Sequence, residues 1–200
     1  MIGIIDYGRG NLRSVYKAFC FLGLEVKILK DPSECLKATK LILPGVGAFG
    51  DCMKQLNTLG FTGPVLEAVK KGMPLLGICL GLQLLFESSE ENPGIPGLSL
   101  FKGKATRFQG DYKIPHMGWN SLEFRQNNGL VKGFPSNPFF YFVHSYIVEP
   151  ENKEIILSET DYHGSFVSSI HHQNITGFQF HPEKSQANGL KLLKQWSELC

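Results

Sequence analysis

Cys79 stands between two glycines in GICLGLQ, residues 77–83, where the apolar run MPLLGIC gives way to the helix-like LGLQLLFESSEE. G-x-C-x-G between a buried strand and a helix has the form of the G-x-S-x-G nucleophile elbow. There, flanking glycines let strand and helix approach closely and leave the central side chain exposed. At a helix N-terminus, unpaired N–H groups and the helix dipole favour thiolate over thiol. The alternative is a small apolar group packed in a core, since free cysteines are among the most buried residues. A cysteine nucleophile needs a base. His181, in GFQFHPEK, follows the alternating Phe178 and Phe180 and is expected to leave the end of a strand, with Pro182 discouraging further pairing. Glu183, two residues on, can return to accept the ring proton and fix the tautomer, completing a set of nucleophile, base and orienter.

The other histidines carry less. His171 and His172 are adjacent in SSIHH and point to opposite faces of a strand, so they do not easily share an ion. His116 and His163 lie in turn-like contexts and are assigned no chemistry. His144 ends an apolar run in YFVHSY, where His144, Ser145 and Tyr146 could line a ligand site. GVGAFG, residues 45–50, matches G-x-G-x-x-G and raises dinucleotide binding. That fingerprint belongs in the first strand-to-helix turn with an acidic residue about 20 positions on at a strand end, whereas here it is a later turn and Glu67 falls in the helical run GPVLEAVKKG. A Gly-rich turn can instead aim backbone N–H groups at a developing oxyanion.

The elements that must position these residues come in two textures. In the first half, short apolar strands (MIGIIDY, VKIL, LILP, PLLGIC) alternate with Gly-rich turns and amphipathic helical patterns (LRSVYKAFCFLG, DCMKQLNTLG, LGLQLLFESS). This predicts an α/β fold, an open and mostly parallel sheet with helices on both faces and ligands beyond the carboxyl ends of the strands. From about residue 97, turn-separated β-like runs follow, KATRFQG, NSLEFR, FFYFVHSYIVEP, EIILSET, SFVSSIHH and TGFQFHPE. They predict antiparallel strands that extend the sheet or form a second small layer, before a closing helix in NGLKLLKQWSEL.

Two hundred residues suffice for one sizeable core, and no linker or repeat divides them, so one domain over 1–200 is expected. A net charge of +2, with 20 basic and 18 acidic residues scattered without blocks, gives no footprint for nucleic acid or an anionic membrane. The N-terminus lacks the features of a secretory signal and no stretch is a membrane span, so a cytoplasmic location is expected and the NIT at Asn174 is discounted as a glycosylation acceptor. Five cysteines (Cys20, Cys35, Cys52, Cys79, Cys200), odd in number and without a C-x-x-C, argue for free thiols and against a metal site.

PGVGAF, GICLGLQ and FQFHPEKS, in that order, resemble the class I, triad-type glutamine amidotransferases over essentially the whole chain. Within that class DYGRGNLRSV, LPGVGAFGDCM, PHMGWN, FVHSY and HPEKS are similar to the glutaminase subunits of imidazole glycerol phosphate synthase, of histidine biosynthesis. The resemblance implies a flavodoxin-like fold and hydrolysis of L-glutamine by covalent catalysis, with Cys79 as nucleophile, His181 as proton carrier and Glu183 as orienter, and no cofactor. It implies an oxyanion hole from the backbone N–H groups of Val46 and Leu80. Gly47, Gln83, Glu91, His144, Ser145 and Tyr146 become substrate contacts, Glu91 facing the α-amino group and the HSY stretch the α-carboxylate. It implies a heterodimer with a (β/α)8-barrel cyclase that receives the ammonia, with Asn11, Trp119, Tyr141 and Lys184 near the interface. A paralogous cyclase of nucleotide-sugar amidation is the alternative partner; DYGRGNLRSV and HMGWN argue against other amidotransferase acceptors.

Overall fold

Runs of branched aliphatic residues too short for helices pair side by side, and the amphipathic segments between them cover the two faces that result. The computed structural model describes residues 1–199; Cys200 lies outside the described residues. Strands β1 (Ile2–Ile5), β2 (Val26–Leu29), β3 (Lys40–Gly45) and β4 (Leu75–Cys79) are parallel and lie in the order β2-β1-β3-β4. Helices α1 (Leu12–Phe21), α2 (Phe49–Thr58) and α3 (Thr62–Lys70) fill the connections. β4 leads into α4 (Leu80–Gln83), then β5 (Phe86–Ser89) and β6 (Phe101–Arg107). β7 (His116–Ser121), β8 (Glu123–Phe124), β9 (Phe139–His144), β10 (Tyr146–Pro150), β11 (Ile156–Asp161), β12 (Ser165–His172) and β13 (Ile175–Phe178) precede the last helix, α5 (Gln186–Leu199). β13 joins the free side of β4 in parallel, and β12, β10 and β6 continue the sheet antiparallel from there.

The inner parallel strands β1, β3 and β4 are buried on both faces. In β3, Leu41 and Leu43 join one core with Cys52, Met53 and Leu56 of α2 and Val65 and Ala68 of α3. Ile42 points the other way into a core shared with Val15 and Phe19 of α1 and Leu192, Leu193 and Trp196 of α5. This explains why such strands read as continuous apolar runs rather than alternating ones. Trp196, fully buried, meets Phe19 edge to face at 6.1 Å and locks α5 to α1. Among the described residues no helix is long and apolar enough to cross a membrane.

Two expectations are corrected. The helix read in LGLQLLFESSEE stops after Leu80–Gln83, and Phe86–Ser89 is a strand. The carbonyls that would continue the helix are taken from outside it: Leu98 N–H donates to Leu84 O at 2.8 Å, and the N–H groups of Leu100 and Phe101 donate to Leu85 O at 2.9 and 3.1 Å. With Leu82, Leu84, Leu85 and Phe86 all buried, the segment has no solvent face on which a longer amphipathic helix could rest. The run FFYFVHSYIVEP is also not one strand. It divides at Ser145, β9 pairing with β7 in a separate two-stranded ribbon and β10 pairing with β6 in the main sheet.

The junction of β4 with α4 leaves no room for side chains. A Cβ on Gly81 would lie 1.9 Å from Leu43 O, and one on Gly77 would lie 2.7 Å from Gly81 O. Both obstacles are backbone, so neither can swing away. Gly81→Ala is expected to destabilise the protein by at least about 3 kcal/mol in urea unfolding. Gly63→Ala, in α3 where a Cβ meets nothing within 4 Å, should be neutral or stabilising by up to about 1 kcal/mol.

Candidate functional site

The carboxyl ends of β3, β4 and β13 lie side by side, Gly45 opposite Cys79 and Ile78 opposite Phe178. Cys79 is therefore the last residue of a central strand, with a Gly-rich turn on one side and the FQFHPE segment on the other. Its backbone adopts φ +55°, ψ −110°, outside the regions ordinary residues occupy. Such a conformation costs about 1–3 kcal/mol and persists only where the surroundings over-determine it. The close packing of Gly45, Gly77 and Gly81 supplies that constraint.

The Cys79 side chain faces a cavity of about 400 Å³. Its Sγ is 3.9 Å from Val143 O, which it approaches as donor, and 3.8 Å from Gln179 Nε2, which donates to it. His181 lies on the same cavity and is 3% exposed. Its Nδ1 is 2.8 Å from Glu183 Oε1. Burial pulls the His181 pKa down, but hydrogen bonds and charge from Cys79 and Glu183 outweigh it and raise the pKa to about 10. Ser185, buried behind the ring, donates to His181 O at 2.7 Å and accepts from Tyr141 N–H at 3.0 Å, fixing the loop to β9. Of the buried thiols away from this cavity, burial pushes Cys35 up to about 11 and raises Cys52 as well, so both stay protonated at neutral pH.

Val46, Gly47, Leu80, Gln83, Glu91, His144, Ser145, Tyr146 and Lys184 line the same cavity, so residues more than a hundred positions apart converge. Glu91 is carried on the 89–95 turn, where its Oε2 accepts from Phe49 N–H at 2.6 Å and Asn92 Oδ1 accepts from Gly50 N–H at 2.7 Å. These bonds cap the start of α2 and tie the turn to the GVGAFG loop. Gln83 donates through Nε2 to Tyr146 O (3.3 Å) and Gln179 Oε1 (3.2 Å), and its own Oε1 is buried without a protein partner. Asn11 and Glu183 border a smaller adjoining cavity that also touches Val46 and His181. Trp119 and Tyr141 lie outside both, as cross-strand partners on the β7–β9 ribbon with ring centroids 6.2 Å apart. Lys184 Nζ is 5.8 Å from the Tyr141 ring and bridges ribbon and cavity.

Three contributors escape the sequence reading. Gln179 is fully buried beside Cys79; its position between Phe178 and Phe180 puts it on the opposite strand face, and a polar residue hidden there must find partners. Val143 contributes only a carbonyl, which no side-chain pattern announces. His116, read as a turn residue, instead opens β7 and is buried against His144, with Nδ1 3.1 Å from His144 Nε2. Among the described residues no group of three His, Cys, Asp or Glu side chains is arranged to hold a metal ion.

The family model for glutamine amidotransferase class-I matches residues 3–197. The imidazole glycerol phosphate synthase subunit HisH of Moorella thermoacetica is 48% identical over 198 residues, covering 99% of this chain and 94% of that protein. The subunit of the same name from Aquifex aeolicus is 50% identical over 194 residues, covering 96% and 94%. A crystal structure described as a glutamine amidotransferase superposes with a TM-score of 0.79 at 20% identity, over 99% of this chain and 97% of the other, a likeness of fold. With the matched family model spanning nearly its whole length, the chain belongs to the class I glutamine amidotransferases.

Proposed function

We propose that this enzyme is the glutaminase subunit of an imidazole glycerol phosphate synthase, a single-domain chain working in the cytoplasm. It hydrolyses L-glutamine through Cys79, His181 and Glu183 and passes ammonia to a cyclase subunit. The observation that carries the chemistry is the strained Cys79 on the same cavity as His181, an imidazole whose Nδ1 is held 2.8 Å from a buried carboxylate. The partner is inferred from the name shared by relatives about half identical over nearly the full chain.

In this mechanism the Cys79 thiolate attacks the side-chain carbonyl carbon of glutamine, and the carbonyl oxygen gains the negative charge. The backbone N–H groups of Leu80 and Val46 meet that oxygen; each such donor is worth roughly 10²–10³ in rate. As the tetrahedral species collapses, the C–N bond breaks and the His181 imidazolium gives its proton to the departing nitrogen, leaving a thioester and ammonia. Water then attacks the thioester while neutral His181 takes its proton, and glutamate leaves with Cys79 again a thiolate. Glu183 holds the ring in the tautomer that presents Nε2 to sulfur and substrate. Gly47, Gln83, Glu91, His144, Ser145 and Tyr146 bind the rest of the substrate, with the unpartnered Gln83 Oε1 available to accept a substrate N–H. Asn11, Trp119, Tyr141 and Lys184 face the (β/α)8-barrel partner, whose ligand-bound state stimulates turnover.

In a reconstituted pair with the cyclase subunit, Cys79→Ala should lower glutamine-dependent imidazole glycerol phosphate formation by at least about 10³-fold while leaving the ammonia-dependent reaction within about twofold of wild type. Retention of the glutamine-dependent rate would exclude Cys79 as nucleophile.

The His181–Glu183 contact also has a pH signature. The folded pKa of about 10 lies above the unfolded value near 6.5, so the stabilisation is fully present below about pH 6.5 and is lost as pH rises through about 10. Glu183→Gln removes one cause of the raised value. The melting-temperature difference between wild type and Glu183→Gln should be largest near pH 6 and shrink steadily to a minimum above about pH 10. A difference that grew with pH over that range would contradict a charged His181 in the resting enzyme.

A further inference from the structure

The buried pair His116 and His144 has all its protons fixed by its neighbours. Tyr146 O can only accept, so His144 Nδ1, 2.9 Å away, must donate to it. Burial, with charge from His116 and His181 adding to it against the bond to Tyr146 O, lowers the His144 pKa to about 3; burial takes His116 to about 4. Both rings are neutral at physiological pH. His144 Nε2 is then a lone pair, and His116 Nδ1 at 3.1 Å must carry the proton that meets it. His116 Nε2 in turn accepts from Asn120 Nδ2 at 3.3 Å. The Asn120 amide cannot be reversed, because its Nδ2 also donates to Asp161 O (2.8 Å) while its Oδ1 accepts from Ser121 N–H (2.8 Å). His116 is stacked on Tyr162 and Phe142, with centroids 4.1 and 4.8 Å away, which fixes the ring plane.

The series continues to the sulfur. Tyr146 O accepts from Gln83 Nε2, whose second hydrogen reaches Gln179 Oε1, and Gln179 Nε2 donates to Cys79 Sγ. Six hydrogen bonds thus connect Asn120, next to the exposed Trp119 on β7, with the candidate nucleophile.

We infer that His116 and Asn120 are positioning residues for glutamine binding: they hold His144 as the Nδ1–H tautomer, which pins the Tyr146 carbonyl and, through it, the Gln83 amide at the cavity. This rests on the glutaminase reading for its substrate but not for its tautomer, which is a property of the resting protein. Neither residue touches substrate; each acts through His144.

The test uses His116→Phe, which keeps the stacked ring and removes both nitrogens, and His116→Asn, which restores an N–H at the δ position. The cavity wall that these hydrogen bonds pin binds ground state and transition state alike. His116→Phe should therefore raise the glutamine KM about tenfold with kcat in the cyclase complex within about threefold, and His116→Asn should recover most of the KM. Long-range ¹⁵N–¹H spectra of the wild type should display His144 as the neutral Nδ1–H form, unchanged between pH 5 and 8. A KM for folded His116→Phe within about twofold of wild type overturns the inference, as does a wild-type His144 protonated on Nε2 or titrating in that range. If His116→Phe does not fold, the wild-type spectrum alone decides. Failure of the glutaminase reading is registered separately, as glutamine turnover surviving in Cys79→Ala.

Discussion

The close approach of the β3 end, the β4–α4 junction and the backbone of Gly81 is the constraint on which the rest of the site depends. Leu43 O excludes a Cβ on Gly81, and in this crowded junction the chain after Ile78 turns through a residue of positive φ, Cys79. Left-handed backbone at a side-chain-bearing residue is unfavourable by itself. It is kept here because two buried cores, one on each face of the sheet, hold β3 and β4 in register. The stability of the sheet is thus what holds the thiol out toward the cavity, and the tight turn is where layer packing and site geometry become one problem.

Around that point the polar groups divide by charge. On one wall His181 is held charged by Cys79 and Glu183 against the pull of burial. On the other, His144 and His116 are held neutral by burial, with the His181 charge adding to it at His144. Three buried imidazoles in one region therefore do different work because their partners differ: a carboxylate and a thiol for one, a carbonyl and another imidazole for the others.

The parallel half was legible because its strands are uninterrupted apolar runs closed by glycines and its helices carry one apolar face, as in LRSVYKAFCFLG and DCMKQLNTLG. Cys79, His181 and Glu183 stood out for the same local reasons: glycines on both sides of a cysteine, and a histidine after alternating phenylalanines. What local pattern could not supply was competition from distant backbone. Nothing in LGLQLLFESSEE announces that Leu84 O and Leu85 O are claimed by residues 98–101, and nothing in FFYFVHSYIVEP marks the change of sheet at Ser145. His116 was hidden for a related reason, since its role depends on a cross-strand partner 28 residues away. Gln179 was hidden by its apolar neighbours.

The division of FFYFVHSYIVEP has a geometric consequence. The β7–β9 ribbon presents Met117, Trp119 and Phe139 to solvent, while β9 and β10 are joined through the single residue Ser145. The ribbon therefore shares its last residue, His144, with the cavity wall, and Ser145 alone separates it from Tyr146 of the main sheet, so the outer face of the ribbon and the floor of the cavity are two sides of one continuous stretch of chain.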